Sequence, residues 1–244
     1  MSQQVIVNRK IKFQGDGDQE PNVEGNWNPK KITARWDMTE LVLDATNKYT
    51  LEVDTDSTIA VGAGGALFTT AATDTRVAMM GAGGIFWYPA KNPVVEFRFQ
   101  IDVITTVGIY AGFSDAGGEG TAKLPHSISG STQTATASDS AGFLFDTNQT
   151  LKYFNIVSSL ASGATKAFTQ LASTRVPVAA TNLTLRVSID TAGNARYYWN
   201  GIQVGSKLLA VTTTTPLIPV FGIKNNTATA HIATLRYIRA WCDP

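Results

Sequence analysis

A chain of 244 residues that is 43% hydrophobic has ample apolar material for a core, while its charged share of 16% falls well below the typical quarter, so Thr, Ser, Asn, Gln and Gly must cover the surface. A formal net charge of +1 gives no field to gather a polyanion, which argues against sequence-neutral binding to nucleic acid or to an anionic membrane. One cysteine, Cys242, excludes an internal disulfide framework.

The opening MSQQVIVNRKIKFQ lacks the uninterrupted apolar stretch of a signal peptide, and no run reaches the ~20 apolar residues of a spanning helix, so synthesis in the cytoplasm is expected. Within it, Val5 to Phe13 reads as a strand, and Gly15 to Pro29 as a long turn-rich connection. Together, residues 1–29 read as an extended arm, with Val5, Ile6, Val7, Ile11, Phe13 and Trp27 as its apolar contacts, ahead of a sandwich domain from 30 to 244. Asp16, Asp18 and Glu20 alternate as at the start of a calcium loop, but the Gly and Glu that such a loop needs at its sixth and twelfth positions are missing, so a solvated acidic turn is expected and no metal.

Ile32–Asp37, Glu40–Leu43 and Tyr49–Val53 predict three short strands. Glu52, Asp54 and Asp56 fall at alternate positions, and period 2 would put three carboxylates on one face of a strand. Polar Thr55, Ser57 and Thr58 point instead to a strand running out into a turn. The near-repeat Gly62-Ala63-Gly64-Gly65 and Gly81-Ala82-Gly83-Gly84 is no phosphate cradle, because neither copy carries the third Gly of a dinucleotide fingerprint or a Gly-Lys-Ser/Thr; tight turns or close strand approach account for it.

Val95, Phe97, Phe99, Ile101 and Val103 alternate with Glu96, Arg98, Gln100 and Asp102, one face buried and one wet. Val107, Ile109, Ala111 and Phe113 form the partner strand. From Glu119 to Ser140 the chain is mostly Gly, Ser, Thr and Ala, and a surface loop of about twenty residues is expected. His126 lies in that loop and His231 in a closing strand; with no ligand cluster and no G-x-S-x-G elbow, neither a metal site nor a triad is expected. Strands over Leu151–Val157 and Ala167–Leu171 precede a meander: Leu183, Leu185, Val187 and Ile189 alternate with polar residues, Asp190 to Asn194 turns the chain, Ala195 to Trp199 returns, and Asn200-Gly201 suits a two-residue hairpin with both central φ angles positive. If Asp190 pairs with Ala195, Tyr198 faces the core and Tyr197 and Trp199 face outward; a turn one residue longer reverses this. No amphipathic helix longer than two turns is legible. The fold class is therefore all-β, two packed antiparallel sheets of about a dozen strands.

Three stretches carry a family resemblance: the meander from Asn182 to Lys207 with its D-x-x-G-N and N-G turns, the closing strands from Pro216 to Trp241, and the pair from Val94 to Ala116 followed by AGFLFDTNQT (Ala141 to Thr150). Over about Leu41 to Trp241 the chain resembles the concanavalin A-like (laminin G-like) jelly-roll sandwich, including versions in virion proteins of tailed bacteriophages. That resemblance implies a non-enzymatic structural protein of a virion, a capsid decoration or cement protein without cofactor, whose partners would be the major capsid protein or other virion proteins and copies of itself, a trimer matching local shell symmetry. It also implies a rival, a carbohydrate-binding module stacking sugar rings on the outer face of one sheet, with Trp87, Tyr88, Tyr197, Tyr198 and Trp199 as candidate contacts to a glycan or a partner. A third alternative is a hydrolase similar to family 16 glycoside hydrolases, which carry carboxylates at the spacing of Glu52, Asp54 and Asp56, although this chain has Asp56 where that family has Glu.

Overall fold

The computed structural model describes residues 49–62, 64–82, 87–115, 122–161 and 165–243, together with the main chain of 32–37. The arm contacts Val5, Ile6, Val7, Ile11, Phe13 and Trp27, the acidic turn and the strand expected at Glu40–Leu43 lie outside the described residues. Among the described residues, seventeen strands and one 3-10 turn, Pro89–Lys91, follow in order: β1 (Ile32–Asp37), β2 (Tyr49–Val53), β3 (Thr58–Gly62), β4 (Gly65–Thr69), β5 (Val77–Ala82), β6 (Val94–Ile101), β7 (Val107–Ser114), β8 (His126–Ser129), β9 (Thr132–Ala135), β10 (Ser140–Asp146), β11 (Asn155–Leu160), β12 (Thr165–Gln170), β13 (Leu183–Ile189), β14 (Ala195–Trp199), β15 (Ile202–Lys207), β16 (Ile218–Asn225) and β17 (Ile232–Cys242).

Every pairing between these strands is antiparallel. One sheet has the order β15-β14-β13-β6-β17-β4-β3, with β1 as an eighth strand on β17, and the other the order β12-β11-β10-β7-β16-β5-β2. The long β17 serves two neighbours on one edge: Ile232 to Leu235 pair with β4, and Tyr237 to Cys242 with β1. The sequence-level expectation of two packed antiparallel sheets describes the molecule, with more and shorter strands than the pattern resolves.

Alternation decides what lies between the sheets. Val95, Phe97, Phe99 and Ile101 of β6 and Leu183, Leu185, Val187 and Ile189 of β13 face Ile109, Ala111 and Phe113 of β7 and Phe143 and Phe145 of β10 in one interior. Aromatic rings organise both ends of it. Phe221 sits edge-on to Phe68, with centroids 5.0 Å apart, and 4.9 Å from Phe99. Phe143 meets Tyr197 at 5.5 Å, and Phe154 meets Trp199 at 5.2 Å, both near perpendicular. Each such ring removed from water contributes about 2–3 kcal/mol by area, plus the edge-to-face term.

The meander settles the register left open by the sequence. The Asp190 N–H donates to the Asn194 carbonyl, and Ile189 lies opposite Ala195, Val187 opposite Tyr197 and Leu185 opposite Trp199. Tyr197 and Trp199 therefore point inward and Tyr198 outward. The turn is fixed by the Asp190 carboxylate, which accepts from the Ala192 and Asn194 N–H groups and the Asn194 side chain. Burial alone would raise that carboxyl; the Asn194 hydrogen bonds outweigh it and hold Asp190 below the usual range. Asn200 and Gly201 have φ of 47° and 81°, as the hairpin requires.

Two expectations are corrected. The strand expected at Leu151–Val157 is Asn155–Leu160, because Leu151 is exposed and Lys152 and Tyr153 belong to the turn before it. The loop expected from Glu119 to Ser140 contains the hairpin β8–β9, a third small sheet.

Candidate functional site

The hairpin decides what one of the two large outer faces can do. On the outside of the seven-stranded sheet, Tyr110 of β7 lies across from Leu144 on one side and Gly222 on the other, and Gly222 across from Met79. With Val77, Val157, Ile218 and Val220 these residues form a second apolar cluster, capped by Leu124 and Ile128 from the hairpin segment. Glycines make room for the cap. A β-carbon on Gly222 would stand 2.7 Å from Leu124, and one on Gly142 would stand 2.7 Å from the Tyr110 ring. This outer face is thereby a layered interior.

Polar groups close the same seam. The buried Asp146 carboxylate accepts from the Ile128 N–H at 3.2 Å, from Lys224 Nζ at 3.1 Å and from Asn226 Nδ2 at 2.8 Å. Gly130 at the hairpin tip exchanges main-chain hydrogen bonds with Asn148 and Thr150. His126, fully buried, has Nε2 2.6 Å from Ser140 Oγ and Nδ1 2.9 Å from Gln133 Nε2, and Ser140 Oγ is 2.7 Å from Ser159 Oγ.

A serine beside a histidine invites a catalytic reading, and the hydrogen bonds exclude it. The Gln133 amide nitrogen also donates to the Ala167 carbonyl at 3.3 Å, so it is a donor to His126 Nδ1, and the imidazole proton must sit on Nε2 pointing at Ser140. A base for Ser140 would need that nitrogen bare. Burial, and then the charge of Lys166, lowers the His126 pKa to about 3, and neither side chain reaches water. The group is a structural pin. His231, buried just ahead of β17, pairs with Thr106 Oγ1 at 2.8 Å.

The carboxylate trio does not assemble either. Glu52 lies on β2, in register with Met79. Asp54 accepts the Val77 N–H at 3.0 Å and approaches Arg76 at 3.9 Å, so it anchors a strand end. Asp56 sits in the following turn at φ 63°, off the strand. Glycoside hydrolysis by paired carboxylates needs two of them facing one bond; here a single one remains on the strand. Among the described residues no three His, Cys, Asp or Glu side chains come together to hold a metal ion, and no helix is long and apolar enough to cross a membrane.

The other large outer face is polar and aromatic. Across β15, β14, β13, β6 and β17 runs one cross-strand row, Gln203, Tyr198, Arg186, Glu96 and Arg239, with Arg35 of β1 next in register. Arg186 forks onto one oxygen of Glu96 at 2.8 and 2.5 Å, and the Tyr237 hydroxyl donates to the other at 2.9 Å. The Arg186 guanidinium lies 5.8 Å from the Tyr198 ring and 5.6 Å from Trp241, and Arg239 stacks at 4.1 Å over Tyr237. Burial, and then the Glu96 charge, pushes the Tyr237 phenol well above its ordinary range.

Of the aromatic residues singled out in the sequence, Trp87 and Tyr197 are wholly buried and Trp199 is 7% exposed, all three in the central core, whereas Tyr88 is 45% exposed and Tyr198 lies half-buried on the polar face. The five are not brought together. The arginine row was missed because its members come from strands far apart in sequence; the one available signal was the outward alternation of Glu96 and Arg98 on β6.

Neither a family model nor a curated protein sequence matches the chain. Solved structures do. The chain is similar to the Emp47p carbohydrate recognition domain (10% identity, TM-score 0.57, covering 90% of this chain and 100% of that one), to the apo Crh5 transglycosylase (13%, 0.54, 86% and 83%) and to peanut lectin with a nine-residue peptide (13%, 0.54, 86% and 97%). At such identities the likeness concerns the fold, and the fold is the concanavalin A-like jelly-roll sandwich, in an architecture shared by lectin-type domains and a transglycosylase.

Proposed function

We propose that this chain is a non-catalytic structural protein of a tailed-bacteriophage virion, a capsid decoration or cement protein that attaches through its leading segment and its sheet edges. The observation that carries the non-catalytic reading is the closure of the seven-stranded sheet by the β8–β9 hairpin, which covers with Leu124, Ile128 and His126 one of the two large outer faces. The broken carboxylate trio supports it. What remains is a rigid body of two sheets, with a charge-poor surface suited to permanent assembly. Attachment by several weak contacts per copy would multiply into tight binding on a repeating shell. Mass spectrometry of purified particles tests this: the chain is expected at a fixed ratio to the major capsid protein, and removal of Met1 to Pro29 is expected to abolish attachment while leaving a soluble sandwich. Its absence from particles would refute the proposal.

A carbohydrate-binding role is the second reading, favoured by the exposed Tyr88 and by neighbours whose fold serves as a carbohydrate recognition domain and as a lectin. Glycan-array binding abolished by Tyr88→Ala, with the fold intact by circular dichroism, would establish it.

A further inference from the structure

The hairpin that closes the seven-stranded sheet is fastened to it mainly by side chains. β8 and β9 form a two-stranded sheet of their own, and its base is tied to itself, with the Thr136 N–H donating to the Pro125 carbonyl and Thr136 Oγ1 to that of Leu124. Residues 124–137 can therefore leave the face as a unit without breaking a strand pairing in either large sheet. What fastens them depends on one protonation state. Neutral His126 gives its Nε2 proton to Ser140 and receives the Gln133 amide at Nδ1. A second proton would sit on Nδ1 and face that donor. Turning the amide over would only aim its oxygen at the Ala167 carbonyl that its nitrogen now serves. No carboxylate hydrogen-bonds the ring to receive the charge. Tyr110 of β7 lies stacked 6.0 Å away with its hydroxyl donated to the Phe113 carbonyl, and Lys166 of β12 acts on the ring with like charge. At the ends of the neighbouring strands, Asp115 follows β7, Asp139 accepts from the Thr212 N–H and Thr215, and Asp146 is engaged by Ile128, Lys224 and Asn226.

We infer that the β8–β9 hairpin is an acid-released cover, in which protonation of His126 lifts residues 124–137 off an otherwise intact sandwich and bares the apolar bed of Tyr110, Leu144, Val157 and Val220. In the lifted hairpin the imidazole meets water and titrates near its ordinary 6.5, against about 3 in the closed state. Opening therefore takes up a proton between those two values, and acid favours it. Each pH unit downward through that window multiplies the opening constant by up to about tenfold, which amounts to about ninetyfold between about pH 7.5 and about pH 4.5. The glycine bed makes the separation clean: Leu124 rests on Gly108 and Gly222, with no side chain of theirs interlocked with it. The inference needs the closure of the sheet and not the virion reading, so it stands if the protein is absent from particles.

Amide hydrogen exchange of the full chain at about pH 7.5 and about pH 4.5, corrected for the intrinsic rate at each pH, tests this. The Ile128 and Gly130 amides, bonded to the sheet at Asp146 and Asn148, report lifting directly, and the rest of the hairpin follows because two strands alone are marginal in water. At peptides covering 126–135 the wild-type opening constant is expected to rise about ninetyfold on acidification, while β7 and β10 stay at least about tenfold better protected. In His126→Gln, which cannot titrate, the same peptides are expected to change by less than about threefold. Gln133→Glu puts a carboxylate where Nδ1 now meets a donor, and is expected to hold the hairpin down at about pH 5.5 as tightly as at about pH 7.5 or more so. An equal pH response in wild type and His126→Gln overturns the inference, as does a hairpin that opens only together with β7 and β10 at one common constant. Hairpin amides already unprotected at about pH 7.5 would overturn the closure of the sheet along with it.

Discussion

Acidification should loosen this protein through one side chain. His126 is buried and neutral between Ser140 and Gln133, with its pKa held at about 3 against an ordinary 6.5. An unfolded chain takes up a proton at this histidine below about pH 6.5, while the folded chain refuses it until about pH 3. Unfolding therefore binds a proton throughout that window, so the stability present above pH 6.5 falls as the pH falls and levels off below about pH 3. At about 1.4 kcal/mol per pH unit, the loss reaches about 3 kcal/mol at about pH 4.5 and about 5 kcal/mol at the foot of the window. Asp115, raised by burial and by the Asp139 charge, acts in the opposite sense, and other carboxylates titrate nearby, so the histidine is isolated by difference. Urea denaturation of wild type and His126→Gln at a series of pH values gives that difference. The variant is expected to start about 1–2 kcal/mol lower at neutral pH, from lost packing and hydrogen bonding, and to lack the histidine's share of the slope, so the curves meet between about pH 5 and about pH 6 and the variant is the more stable below that. Parallel curves would refute the assignment of His126 as a buried neutral pin.

Other expectations follow from the same contacts. Leu124→Ala and Ile128→Ala each uncover the Tyr110 cluster and should cost about 2–4 kcal/mol, seen as a lower denaturation midpoint and faster amide exchange confined to residues 126–135. Glu96→Gln leaves Arg186 without its carboxylate on a dry face and should cost about 3–5 kcal/mol, whereas Glu96→Leu combined with Arg186→Met should recover much of it; a double-mutant cycle by thermal melting measures this. Gly142→Ala pushes a methyl toward the Tyr110 ring, 2.7 Å from the new carbon, and should lower stability by about 1–3 kcal/mol with a changed near-ultraviolet signal from the displaced tyrosine.

What the sequence disclosed and what it concealed have physical reasons. The strands β1, β2, β7, β13 and β14 were legible because apolar residues alternate cleanly between turn residues, and the Asn200-Gly201 hairpin needs only local chemistry. The direction of Tyr197 and Trp199 was not legible, since it hangs on whether Asp190 pairs with Asn194 or Ala195, a one-residue choice made by the Asp190 side chain. The β8–β9 hairpin escaped because most of its residues are small and polar; its anchors Leu124, His126 and Ile128 do alternate, but the burial of Leu124 depends on glycines 108 and 222 clearing a bed on two other strands. The Glu96 row draws on residues 96, 186, 198 and 239, so only the assembled sheet brings it together.

Closure of the seven-stranded sheet is the claim on which the non-catalytic reading rests, and amide hydrogen exchange of the intact chain, resolved at peptides covering 124–135, measures it directly. The account predicts protection there approaching that of β7 and β10 beneath, with a free energy of opening of several kcal/mol. Exchange of the hairpin amides at the rate of an unstructured chain, while β7 and β10 stay protected, would mean that the face beneath stands open to a ligand and would contradict it.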